Sequence, residues 1–171
     1  RPLWRDGANR VAGVDEVGRG PLAGPVVAGA VILDLEKLIQ IESRNNDVSS
    51  QEMQKSYNLI KDSKKVSPKR REVINKFLVS AVVSYSIVEI SVEELDEIGI
   101  SETTQRAFFK CIQKLKVKPE HILTDAFRIK KIADEGQTNI NQGDNKSISI
   151  AAASIMAKVY RDKLMDKMHL Q

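Results

Sequence analysis

The 171-residue chain is poor in several residue types, and each shortage excludes a class of protein. It holds one cysteine, Cys111, so an internal disulfide framework and a cysteine-rich zinc site are excluded. A reducing, cytoplasmic compartment is the matching expectation. Only two histidines, His121 and His169, are present, and a structural or surface role is expected for each. A membrane-spanning helix needs about 20 apolar residues in a row. The longest clean run, Pro25 to Leu33, falls well short, so no membrane partner is expected. The N-terminus lacks the basic–apolar–small order of a signal peptide. Repeats and low-complexity tracts are also missing. Neither sign of charge dominates: 27 Lys and Arg face 23 Asp and Glu, a net +4. That bias is too mild to demand a nucleic-acid partner by itself.

What remains is an ordinary globular composition, 42% hydrophobic and 29% charged. Chains of this length bury roughly 70% of their unfolded surface, enough for one self-sufficient core. One domain over residues 1–171 is expected. Two apolar runs, Val11–Glu16 and Val26–Leu33, are joined by Gly18-Arg19-Gly20-Pro21 and Gly24-Pro25 and read as a hairpin-like strand pair. Residues 34–55 are polar and weakly patterned, an insertion or a loop with a short helix. Ser67-Pro68 reads as N-cap and first helical residue, followed by Val73, Ile74, Phe77, Leu78 and Ala81 at helical spacing. Residues 81–91 turn β-like, with Ser84 and Ser86 alternating against Val83, Tyr85 and Ile87. Ser91-Val92-Glu93-Glu94 fits a capping box, and Ser101 is expected to cap the next helix, which carries Cys111 on its apolar face. Lys118-Pro119 is expected to end it. His121–Thr124 reads as a strand ending at Asp125, and a long helix is expected from Ile148 onward. The alternation gives an α/β fold with a central mixed β-sheet flanked by helices, the opening hairpin ruling against a purely parallel one.

Asp15 and Glu16 close the first apolar run, Asp125 closes a later strand, and Asp144 follows Gly143 just before the last helix. Ligands of α/β sheets gather at strand ends. Carboxylates converging there repel one another unless a cation neutralises them. An all-oxygen set with no histidine or cysteine suits Mg²⁺ or Mn²⁺ and not zinc. Taken singly, Asp125 and Asp144 also fit capping or turn aspartates. Asp15-Glu16 inside an apolar run does not, because buried unpaired charge is costly.

The segment Gly18–Pro25 is neither a Walker loop nor a dinucleotide fingerprint, since the spacing fits neither. Its glycines allow a backbone to approach a sugar or phosphate closely, and Arg19 adds a charged fork. A tight turn is the plainer alternative. Between Lys61 and Lys76 lies a basic stretch in which Lys64 and Lys65 precede the helix and are candidates for phosphate contact, while Lys69, Arg70 and Lys76 read as a solvated face. Trp4 is expected to pack and not to stack on a base.

Taken together these motifs resemble the type 2 ribonuclease H family, bacterial ribonuclease HII. The resemblance rests on Val14-Asp15-Glu16-Val17-Gly18-Arg19-Gly20-Pro21-Leu22-Ala23-Gly24-Pro25-Val26 and on Asp62-Ser63-Lys64-Lys65 with Ser67-Pro68-Lys69-Arg70-Arg71. It continues through Leu123-Thr124-Asp125, Gly143-Asp144, Ser149–Ile155 and Ala157–Asp162. The related type 3 family typically has Gly-Lys-Gly where this chain has Gly18-Arg19-Gly20, so type 2 is preferred. The resemblance implies a ribonuclease H-like fold acting, as a monomer, on RNA–DNA hybrids and on duplex DNA carrying single ribonucleotides, cut on the 5′ side. It implies Asp15, Glu16, Asp125 and Asp144 as catalytic metal ligands, holding two Mg²⁺ or Mn²⁺ ions in the catalytic state. It implies that Gly18, Arg19 and Gly20 read the ribose 2′-hydroxyl through the backbone, and that Ser63 and Lys64 lie near the substrate backbone. Asp162 matches a further recurrent aspartate. The family continues past the last helix to a segment with a tyrosine that stacks at the ribonucleotide–DNA junction. This sequence ends at Gln171, and Tyr57, Tyr85 and Tyr160 do not match that tyrosine, so a catalytic core without that segment is expected. A catalytically impaired nucleic-acid-binding fragment of the same fold is the alternative.

Overall fold

The computed structural model describes residues 9–21, 23–43, 58–60 and 66–169. Trp4, Tyr57, Lys61, Ser63, Lys64, Lys65 and most of the 34–55 segment lie outside the described residues. Five strands form one sheet: β1 (Val11–Val17), β2 (Val26–Leu33), β3 (Val82–Ile90), β4 (His121–Asp125) and β5 (Gln137–Ile140). Their order is β3-β2-β1-β4-β5. The pairs β1/β2 and β2/β3 are antiparallel, and β1/β4 and β4/β5 are parallel, so the sheet is mixed as expected. The helices are α1 (Leu35–Ser43), α2 (Pro68–Ala81), α3 (Val92–Lys114), a short α4 (Gly143–Lys146) and α5 (Ile148–His169). Among the described residues no helix is long and apolar enough to cross a membrane.

All of β2 is buried, as a central strand covered on both faces must be. On one face α5, α2 and α1 bury Val31, Leu33, Ile74, Leu78 and Ile155. On the other, α3 buries Ala28, Ala30, Ile32, Phe108 and Cys111. The α5 face is unusually close. A Cβ on Gly13 of β1 would run into the backbone of Ser149 and Ile150, and one on Gly29 of β2 would lie 2.7 Å from the Ala153 carbonyl oxygen. The alanines 151–153 complete this small-residue seam, which seats α5 directly on the two central strands.

Several local expectations need correcting. α2 begins at Pro68, yet Ser67 makes no side-chain cap bond, and Val73 is 60% exposed because α2 turns Ile74 and Leu78 inward. In β3 Ser84 and Ser86 share the inward face with Val88 and Ile90. Ser84 and Ser86 are buried, while Val83 and Tyr85 are partly exposed on the opposite face of this edge strand. The buried hydroxyls are satisfied: Ser86 Oγ donates to the Cys111 carbonyl at 2.7 Å, and Ser84 Oγ accepts from the Lys116 amide at 3.0 Å. Ser91 caps α3 as expected, accepting from the Glu94 amide at 3.2 Å. The expected short helix and the next one meet at a kink at Gly99 (φ 73°), so Ser101 lies inside the second helix and not at its start, and α3 ends at Lys114, ahead of Lys118-Pro119. β5 was not foreseen, because its sequence, Gln-Thr-Asn-Ile, shows no apolar alternation.

Candidate active site

The topology gathers the acidic residues at one edge of the sheet. β1 and β4 run parallel, with Val14 opposite Thr124, so Asp15 and Asp125 follow side by side. β5 lies parallel to β4, with Ile140 opposite Asp125, and delivers the chain through Gln142 (φ 55°) into α4 and Asp144. The Gly143 amide donates to Asp125 Oδ1 at 2.8 Å. A Cβ on Gly143 would meet Ile150 Cδ1 at 2.6 Å, so that side chain would have to shift, while the Asp125 Cα at 3.5 Å is in ordinary contact range. Asp15 and Asp144 are each only 6% exposed.

Asp15 and Glu16 leave β1 from opposite faces, as neighbours on a strand do. β1 runs on to Val17, so the strand does not end between them. Asp15 shares the α5 face with Gly13, and Ser154 of α5 hydrogen-bonds to its carboxylate. Burial pushes the Asp15 pKa up to about 8, against the Ser154 bond, with the Glu16 and Asp125 charges adding to the rise. The Glu16 carboxyl is raised by burial as well, opposed chiefly by the Arg19 guanidinium 3.4 Å away, with Asp125 adding to the rise. Asp15, Glu16 and Asp125 are therefore one mutually repelling group. Among the described residues no three acidic, histidine or cysteine side chains stand close enough to form a ready-made metal cluster.

The donor chemistry nevertheless fits a hard divalent cation. Every candidate ligand is a carboxylate oxygen, and Glu16 Oε2 is buried without a hydrogen-bond partner among the described residues. A cation would supply the charge that burial denies Asp15 and Glu16.

The glycine loop stands beside the acids. Gly18 (φ 106°) and Gly24 (φ 88°) both adopt left-handed backbone, and Gly20 at the exposed tip has nothing within 4 Å of where a Cβ would be. Arg19 is held from two sides, by Glu16 and by the Phe127 ring, whose centroid lies 4.3 Å from the guanidinium carbon. Ala126 (φ 56°) turns the chain sharply after Asp125 and presents Phe127, 40% exposed, to that loop.

Three residues of the site have no role assigned from the sequence: Ser154 and Arg161, which stand inside the motifs that carry the resemblance, and Phe127, which does not. Ser154 and Arg161 lie two turns apart on α5, and that spacing on a helix otherwise lined with alanine was the available signal. Arg161 is only 5% exposed, and its Nε and Nη2 donate to the carbonyls of Pro25 at 2.9 Å and Ala23 at 2.7 Å. Asp162 pairs with Lys158 at 2.6 Å and Arg71 at 3.3 Å. The histidines are structural or exposed as expected: His121 Nε2 meets Thr138 Oγ1 at 2.9 Å, and His169 is the exposed last residue of α5.

Known proteins are similar to this chain in sequence and in fold. A ribonuclease HII from Clostridium botulinum is 44% identical over 155 residues, which cover 91% of this chain and 52% of the relative. One from Clostridium beijerinckii is 46% identical over 156 residues, again 91% of this chain and 52% of the relative. The chain thus spans about half the length of the curated relatives it matches. The crystal structure of ribonuclease H2 from Pyrococcus horikoshii OT3 superposes with a TM-score of 0.74 at 26% identity, covering 95% of this chain and 76% of that one. The fold is accordingly ribonuclease H-like. The ribonuclease HII family model matches residues 12–171, from the first strand through the last helix, and the chain belongs to the ribonuclease HII family.

Proposed function

We propose that this chain is the catalytic core of a metal-dependent endoribonuclease. It hydrolyses the RNA strand of RNA–DNA hybrids and incises duplex DNA on the 5′ side of a single embedded ribonucleotide, with two Mg²⁺ or Mn²⁺ ions in the catalytic state. The observation that carries this reading is the pair Asp15 and Glu16, both raised by burial and by the charge of Asp125 beside them at the strand ends, next to the open Gly18–Gly20 backbone.

Asp15, Glu16, Asp125 and Asp144 would hold the ions. Bound divalent cations polarise the phosphoryl oxygens, make water a nucleophile at neutral pH and stabilise the leaving oxygen. The chain supplies the rest. Asp15, raised chiefly by burial and further by the Glu16 and Asp125 charges, would hold a cation as the deprotonated carboxylate. Ser154 and the Gly143 amide fix Asp15 and Asp125 in orientation. The Gly18–Gly20 backbone hydrogen-bonds the ribose 2′-hydroxyl, the one group that separates RNA from DNA at a given position. Arg19, held by Glu16 and Phe127, sets its fork on a nearby phosphate. Ser63 and Lys64 contact the substrate backbone from the basic segment.

The test is incision of a DNA duplex bearing one ribonucleotide, with Mg²⁺ and with EDTA. Incision 5′ of the ribonucleotide in Mg²⁺ alone is expected. Tight binding without incision in either condition would replace this reading with that of a nucleic-acid-binding fragment.

A further inference from the structure

We propose that Arg161 is the positioning residue of the glycine loop: it fixes the Gly18–Pro25 backbone in the shape that recognises a ribose. This rests on the functional reading above.

The loop is long, rich in glycine and exposed at its tip, so its own sequence cannot hold one conformation. Its anchorage comes from α5. Arg161 Nε donates to the Pro25 carbonyl at 2.9 Å and Nη2 to the Ala23 carbonyl at 2.7 Å. Both bonds go to backbone at the closing end of the loop, and a planar guanidinium satisfies them with one rigid fork. The opening end is pressed on the same group: a Cβ on Gly18 would lie 2.8 Å from Arg161 Nε and 2.6 Å from the Pro25 oxygen. A Cβ on Gly24 would meet the Met165 sulfur and stand 3.1 Å from Arg161 Nη2. One buried cation thus sits between both ends of the loop, and both positive-φ glycines are required by its presence as well as by their backbone.

The next residue keeps α5 from rotating. Asp162 Oδ2 pairs with Arg71 Nη2 of α2 at 3.3 Å, and Arg71 Nη1 donates to the Val66 carbonyl at 2.9 Å. Val66 directly follows Lys64-Lys65 of the basic segment. Adjacent residues of one helix therefore fasten the loop on one side and the basic segment on the other. Arg161 itself faces backbone carbonyls of the loop and is enclosed by it, so it acts on recognition only through the loop.

The experiment compares the wild-type chain with Arg161→Lys and Arg161→Ala by two readouts. Hydrogen exchange is followed at the amides of residues 18–26, with β3 as an internal control. Binding in EDTA is measured by fluorescence anisotropy for two duplexes of one sequence, all-DNA or carrying one ribonucleotide. Both variants are expected to exchange faster in the loop and at the wild-type rate in β3. They should lose roughly 10- to 100-fold of the preference for the ribonucleotide, as displaced recognition groups do. Arg161→Lys keeps the charge, so its affinity for all-DNA duplex should be unchanged, which separates lost positioning from lost electrostatics. Should Arg161→Ala fail to fold, Arg161→Lys carries the test. Unchanged loop exchange overturns the proposal, as does a loosened loop with intact preference. A wild-type chain without preference overturns the functional reading itself, whatever the exchange shows, and the role in recognition falls with it.

Discussion

On the α3 face of the sheet, buried polar groups end on the nearest backbone. Ser86 Oγ donates to the Cys111 carbonyl, and Cys111 Sγ to that of Ala28 at 3.2 Å. Burial pushes the Cys111 thiol up to about 12, so it is a small inert core residue and not a nucleophile. On the α5 face, polar groups reach other elements instead: Ser154 to Asp15, Arg161 to the glycine loop, Asp162 to Arg71 of α2. Both faces are packed, but their seams differ. Phe108 fills the α3 side, whereas glycine and alanine close the α5 side. A bulky seam holds a helix by volume. A small-residue seam brings the helix axis near the strands, so that short side chains reach groups at the strand ends. Position, more than polarity, separates the two faces.

Three changes would break or sharpen this contrast. The largest effect is expected from Asp15→Asn on the α5 side. Incision should fall by roughly 100-fold or more in saturating Mg²⁺, since a neutral amide holds a divalent cation poorly. Circular dichroism should show the fold retained, and surviving activity would remove Asp15 from the site. Next comes Phe108→Ala on the α3 side, which should cost about 3–5 kcal/mol of stability, read by urea denaturation, with the incision rate per folded molecule unchanged. A specific loss of rate there would mean that the α3 face also carries chemistry.

The third is a pH dependence of the metal-free chain. Asp15 holds its proton to about pH 8 when folded and releases it near 3.8 when unfolded. Between those values the unfolded chain binds fewer protons than the folded one, so stability falls as pH rises. Glu16, raised in the same direction, adds to the fall. Melting temperatures in EDTA should drop across that window, less steeply in Asp15→Asn, and Mg²⁺ should flatten the decline. A metal-free melting temperature that rises toward pH 8 would contradict the burial of these acids.

Legibility varied with local signal. The β1–β2 pair could be read because two apolar runs flank glycine and proline. The last helix could be read because its small apolar residues recur at helical spacing. β5 could not, because its one buried polar side chain, Gln137, is satisfied by tertiary bonds: its Oε1 accepts from the Ile129 amide at 2.8 Å, and its Nε2 donates to the Ile129 and Ile132 carbonyls at 3.0 and 2.6 Å. Which face of β3 turns inward was open for a related reason. Alternation gives two faces but not which one a helix will cover, and here the backbone of α3 and its following loop accept or donate to the hydroxyls. Val73 is apolar at the right spacing and still exposed, because α2 needs only Ile74, Leu78 and Ala81 to seat it.

The sequence by itself determined the elements with strong periodicity, the all-oxygen character of the candidate ligands and the glycine loop that follows Asp15-Glu16. Those are properties of residue type and spacing, which local sterics and chemistry settle. Tertiary structure decided that Asp125 stands beside Asp15, that Ser154 orients one carboxylate, and that a buried arginine two turns further along the same helix holds the loop. Those are contacts between residues far apart in the chain. They exist only because a parallel β1–β4 pairing and a helix seated on Gly13 and Gly29 bring them within hydrogen-bond and electrostatic range.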